Sequence, residues 1–131
     1  MNFLAKIFRR QVDYIPDLVT NNFKKHFVNA KNIEWGHYHD LFEASFYEND
    51  IEKIAKFDAK GNLVEYRINI PLSEIPSFVK INVDKDLEIM NCIKVFISES
   101  MNYEIIVRNK ALVRYQLLLD ANGEKLRFEK L

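Results

Sequence analysis

The feature that most limits how this chain can fold is a stretch that occurs twice. Phe42 to Val64 and a degenerate copy, Tyr103 to Leu126, both open on an aromatic residue followed by Glu (Phe42-Glu43, Tyr103-Glu104). Both alternate through apolar residues and close on Asp-Ala-x-Gly, at Asp58 to Gly61 and Asp120 to Gly123. Alternation places successive side chains on opposite faces of a strand. The closing tetrapeptide predicts a tight hairpin in which Gly61 and Gly123 take positive φ. Glu48-Asn49-Asp50 supplies a further turn.

Ahead of each copy lies an apolar series spaced for a helix. Ile15, Val19, Phe23 and Phe27 recur every four residues, and Ile75, Val79, Val83 and Leu87 match them at a constant offset of 60. Spacing of four puts each set along one helix face. Pro16 and Pro76 suit a first helical turn, with Asp13 and Ser73 as candidate caps. The second series carries β-branched Val79, Ile81 and Val83, so tertiary packing must hold it.

The expected architecture is therefore α+β: two tandem repeats of one helix followed by a four-stranded antiparallel meander, with the helices packed on one face of the sheets. The first unit would span 13–70 and the second 71–131, in a single domain preceded by an N-terminal amphipathic segment over 1–12. In that segment Phe3, Leu4, Ile7 and Phe8 oppose Lys6, Arg9 and Arg10. It lacks the charge-first, uninterrupted apolar layout of a secretory signal. No window reaches the 18 or so apolar residues of a membrane span.

Composition excludes several functions. Lys plus Arg equals Asp plus Glu at 19 each, so no overall field draws nucleic acid. Three glycines, far apart, cannot form a phosphate-cradling loop. The single cysteine, Cys92, reads as a small buried hydrophobe and permits neither an intramolecular disulfide nor a Cys-x-x-Cys pair. His37 and His39 would share a strand face, with His26 and Asp40 as further donors, but two histidines are only half of a tetrahedral metal shell. No metal, no cofactor and no catalytic set is expected, and the scattered carboxylates read as solvated charges.

Phe42, Ala44, Phe46, Tyr103, Ile105 and Val107 read as the helix-facing core by alternation. The opposite set combines Glu34, Glu43, Ser45, Tyr47, Lys56, Lys94, Phe96, Glu104, Ile106, Arg108, Arg114, Gln116 and Leu118. Apolar and Arg side chains amid polar ones have the make-up of a protein interface. The alternative is that they touch one another or the N-terminal helix and close the sheet.

The Ile-Pro starts, Ile33-Glu34-Trp35, Phe42 to Phe46 and Phe57 to Leu63 together resemble the PepSY-like proteins, whose fold is like that of the β-lactamase inhibitory protein. The resemblance runs over about Tyr14 to Leu131. It implies sheet faces forming a shared concave surface and a non-enzymatic, inhibitor-like binding role toward a protein or peptide. Tyr47, Phe96, Ile106 and Arg108 are the expected anchors, with Glu43 and Glu104 at the rim. It also implies a periplasmic or secreted setting, whereas the lack of a signal in this sequence favours the cytoplasm. The competing expectation is a structural protein that self-associates through the same face or an edge strand.

Overall fold

Val19 and Phe23 are buried on one side of a ten-residue helix, α1 (Asp17–His26), in the computed structural model. The structure describes residues 10, 11 and 14–131. The amphipathic segment expected over 1–12 and the Asp13 cap lie outside these, except for Arg10–Gln11, a two-residue strand β1. Pro16 is the residue that caps α1. Its carbonyl accepts from the Val19 and Thr20 amides at 2.9 and 3.1 Å. The chain divides into two compact units, Met1–Ile68 and Asn69–Leu131.

In the first unit β1 pairs with β2 (Lys31–Tyr38), followed by β3 (Leu41–Glu48), β4 (Ile51–Phe57) and β5 (Leu63–Asn69), each antiparallel to the one before. Register places Trp35 opposite Ala44, Phe42 opposite Phe57 and Ala44 opposite Ala55, so these side chains share the face that receives α1. Phe23 fills the centre, edge-on to Phe46 at 5.0 Å and 90°, and to Trp35 at 5.2 Å. Val19, Phe27, Phe46 and Phe57 complete this core.

The second unit has far less helix. A 3-10 turn at Leu72–Glu74 and a four-residue helix, α2 (Ser77–Lys80), are followed by β6 (Glu88–Ile97), β7 (Ser100–Arg108), β8 (Arg114–Asp120) and β9 (Lys125–Lys130). Ser73, expected as a cap, lies inside the 3-10 turn. The Asn82 side-chain Nδ2 donates to the Phe78 carbonyl at 2.8 Å, occupying the acceptor that the Asn82 backbone N–H would take in a continuing helix. Past Ile81 the chain proceeds as turns. Ile75 and Val79 are nevertheless buried, and Val83 and Leu87 pack against the same cluster of Cys92, Tyr103, Ile105, Val107, Leu117 and Leu119.

The α+β expectation of two equivalent helix-plus-meander repeats is thus overturned. Among the described residues the chain is mostly antiparallel sheet, with eight strands besides β1 and only two short helices. The physical reason is local. Val79, Ile81 and Val83 carry low helix propensity, and Asn82 diverts the backbone.

The turns explain much of the register. Asp58 Oδ1 accepts from the Lys60 and Asn62 amides at 2.9 and 3.0 Å; Asp120 Oδ1 accepts from Asn122 and Glu124, both at 2.9 Å. Gly61 and Gly123 have φ of 88° and 87°. The turn between β7 and β8 has the same backbone hydrogen bonds around Asn109, but Leu112 holds its left-handed position at φ 64°. A Cβ there costs about 1–2 kcal/mol. Leu112→Gly is expected to raise unfolding stability by about 0.5–1 kcal/mol, since glycine also loses more entropy on folding; a urea midpoint unchanged or lowered at constant slope contradicts this. Gly61→Ala should do the opposite. Its Cβ would stand 2.6 Å from the Leu18 carbonyl oxygen, and a loss of about 2 kcal/mol or more is expected in the same assay.

Candidate functional site

Directly opposed residues in an antiparallel pair share a face, so the registers sort every expected site residue. In the first unit Glu43 lies opposite Gly36 and Lys56, and Tyr47 opposite Lys31 and Glu52. Both therefore project from the face away from α1, as expected, together with Ser45, Ile54 and Lys56. Their exposures differ. Tyr47 is 41% exposed, whereas Glu43 is 5%, Ser45 4%, Glu52 8% and Ile54 1%. Glu43 is thus a buried group with interaction partners rather than a rim charge.

The Tyr47 hydroxyl donates to Glu52 Oε2 at 3.4 Å. The negative charge of Glu52, with burial next, pushes the phenol pKa up. Tyr47 is therefore a neutral phenol that presents an aromatic surface. On the same face, level with Glu43, Glu65 accepts from both Lys56 and Arg67, each at 3.1 Å.

In the second unit Glu104 lies opposite Ile93 and Leu118, Ile106 opposite Asn91 and Gln116, and Arg108 opposite Glu88 and Arg114. These form one face of β7, turned away from the Tyr103, Ile105 and Val107 core. All three are partly exposed. Arg108 donates through Nε and Nη2 to Glu88 Oε1 at 3.2 and 2.6 Å. Ile93 and Val95 are buried on this face, at 6% and 2%. Asn91 lies there too, and its buried Nδ2 has no acceptor among the described residues.

Phe96 does not join them. It pairs with Met101, in step with Lys94 opposite Tyr103 and Cys92 opposite Ile105, and so projects from the core face of the sheet. Lys94 Nζ lies 5.4 Å from its ring. A register shift between Ile89 and Asn91 sets this phase. Because Met90 to Ile97 carries apolar residues in both phases, alternation alone could not assign the faces. Ile93 and Val95 were the residues missed.

His37 stacks on Phe42 at 4.8 Å and 5°, and His39 sits edge-on to Tyr38 at 4.1 Å. No group of three His, Cys, Asp or Glu side chains converges as a metal site among the described residues. No described helix is long and apolar enough to cross a membrane.

The sheet geometry has known counterparts. The chain is similar to a candidate periplasmic protein from Bacteroides eggerthii, with 25% identity, a TM-score of 0.80, and 89% of each chain covered. It is similar to a DUF2874 family protein from Bacteroides uniformis, with 21% identity and a TM-score of 0.80 over 89% of this chain and 90% of that one. A BLIP-like protein from Bacteroides fragilis superposes with a TM-score of 0.77 at 17% identity, over 91% and 89% of the two chains. The chain accordingly has the fold shared by DUF2874 and BLIP-like proteins. No protein-family model matches the sequence, and no curated protein does.

Cys92 lies fully buried against Ile105 in the second core, and burial pushes its thiol up from 9.0 to about 11. At pH 8 about one molecule in a thousand carries the thiolate. Iodoacetamide at pH 8 is expected to leave the folded protein unlabelled and to react once urea unfolds it; prompt labelling of the native state contradicts the packing. The raised folded pKa also sets a pH dependence. The thiol's contribution is fully present below pH 9 and is lost as pH rises toward 11, about 3 kcal/mol in all, so the urea midpoint should fall across that window and fall less in Cys92→Ala.

Proposed function

We propose that the chain is a non-enzymatic, inhibitor-like binding module that grips a protein or extended peptide on the sheet face turned away from its cores. The observation that carries this reading is the face of β7 and β8 in the second unit. There Ile106 and Leu118 remain partly exposed between Glu104, Arg108 and Gln116. Partly exposed aliphatic side chains framed by an arginine, a glutamate and a neutral amide match the core and rim of protein interfaces. In the first unit Tyr47 is the corresponding anchor, and Phe96 has no part in it.

The likeness to a BLIP-like protein supports an inhibitor-like role, and the PepSY-like resemblance of the sequence agrees with it. The likeness to a candidate periplasmic protein supports a periplasmic or secreted setting. Neither a cofactor nor nucleic acid belongs to this function.

A second reading is self-association through β9. Every residue of that strand is exposed, including Leu126 at 55% and Phe128 at 43%. Lys125, Arg127, Glu129 and Lys130 set charges along the same strand, which resists edge-to-edge pairing.

Affinity capture from extracts of the producing cells, followed by calorimetry with the purified partner, tests the primary reading. Ile106→Glu combined with Arg108→Glu should weaken binding at least tenfold while leaving the fold intact. Equal affinity in the variant removes this face from the site. A mass that doubles with concentration in the absence of any partner favours β9 instead.

A further inference from the structure

The first unit carries a polar cleft of which the sheet-face reading uses only Tyr47. Two segments of irregular backbone form it. One is the start of β2, where the pairing with β3 shifts between Lys31 and Glu34 and Asn32 sits at φ 55°. The other is the β3–β4 hairpin, where Asn49 and Asp50 take φ of 49° and 65°. Lys31 lies directly opposite Tyr47, which brings the two segments side by side. Between them Asn29, Lys31, Asn32, Tyr47, Asn49 and Asp50 line a cleft of about 700 Å³, within the size range of small-molecule sites.

The chemistry of this lining is specific. Three side chains are carboxamides, each with one acceptor oxygen and an NH₂ donor pair. The single cation, Lys31, is offset by the single anion, Asp50, so the cleft has no net formal charge to select an ion. All five polar side chains are exposed, and none is engaged in a hydrogen bond or ion pair among the described residues. Tyr47 adds an exposed ring whose hydroxyl is already committed to Glu52. Groups that donate and accept in equal measure match ligand hydroxyls, which do the same. An aromatic face beside them matches a ring that is polar at its rim and C–H on its faces.

We propose that this cleft binds a neutral saccharide, with its hydroxyls on Asn29, Asn32, Asn49 and Asp50 and one C–H face on Tyr47. The backbone geometry supports pre-organisation, since left-handed residues at the hairpin and the bulge fix where the amides stand. Tyr47 also serves the sheet-face reading, so the test rests on the other residues, and either proposal can fail without the other.

The probe is an array of neutral oligosaccharides of hexoses and N-acetylhexosamines, followed by NMR titration of the full chain with any sugar retained. Shifts of the side-chain NH₂ signals of Asn29, Asn32 and Asn49 are expected, with binding at least tenfold weaker in Asn49→Gly combined with Asp50→Gly. Two glycines keep a turn that needs positive φ at both positions. If that variant loses its native spectrum, Asn29→Ala, at an exposed turn outside the strands, replaces it and should also weaken binding. The proposal is overturned if no sugar shifts those amides at millimolar concentration, if binding is equal in the folded variant, or if only peptides shift them.

Discussion

A side chain on a strand serves one face of its sheet and is withheld from the other, and every assignment in this molecule depends on how that choice falls at β3 and β7. In β7, Tyr103, Ile105 and Val107 go to the core, which obliges Glu104, Ile106 and Arg108 to the opposite face. In β3, Ala44 and Phe46 go inward, and Glu43, Ser45 and Tyr47 follow outward. A slip of one residue would exchange these sets completely. The turns that flank these strands oppose the slip: Asn49 and Asp50 reverse the chain from β3 to β4 at positive φ, and Asn109 Oδ1 accepts from the Val113 amide where β7 turns into β8.

The two units cover their core faces by different means. The first drives Phe23 from α1 into a ring of aromatic side chains, with Phe46, Trp35, Phe27 and Phe57 all within 6.2 Å. Such aromatic contacts contribute about 0.5–1.5 kcal/mol each beyond area burial. Shape matters here, since a tilted ring fits few alternatives. The second unit covers its sheet with Ile75 and Val79 and with turn residues Val83 and Leu87, against aliphatic Ile105, Leu117 and Leu119. Aliphatic packing is less directional. It tolerates a cover that is mostly turns, which is why a four-residue helix suffices there.

These differences explain what the sequence could and could not reveal. Spacing of four residues identified the side chains that are buried at Ile75, Val79, Val83 and Leu87, but burial does not dictate backbone conformation. Asn82 and three β-branched residues turned the same apolar series into a short helix and turns. The Asp-Ala-x-Gly signals placed two hairpins because glycine marks positive φ. Leu112 holds the same conformation with no such mark, so the Asn109 turn was illegible. Of the six expected site residues, the strand period correctly grouped Glu104, Ile106 and Arg108 on one face and Glu43 with Tyr47 on another. It failed at Phe96, because β6 is apolar in both phases and its phase is set by a register shift after Ile89.

Burial divides the outward faces further. In the first unit Ile54, Ser45, Glu43 and Glu52 are nearly inaccessible although they point away from α1, while Tyr47 at the strand end is exposed. The accessible part of this surface is therefore Tyr47 and the exposed polar side chains across from it, and the deeper residues are packed beneath. Glu52 illustrates the relation. It is buried, its charge pushes the neighbouring phenol's pKa further up, and its Oε2 accepts a hydrogen bond from the hydroxyl, so Tyr47 presents its ring while its polar end stays occupied. In the second unit the buried Ile93 and Val95 stand in the same relation to the partly exposed Glu104 and Ile106. In each unit the accessible side chains of the outward face thus rest against neighbours on the same face that are already packed.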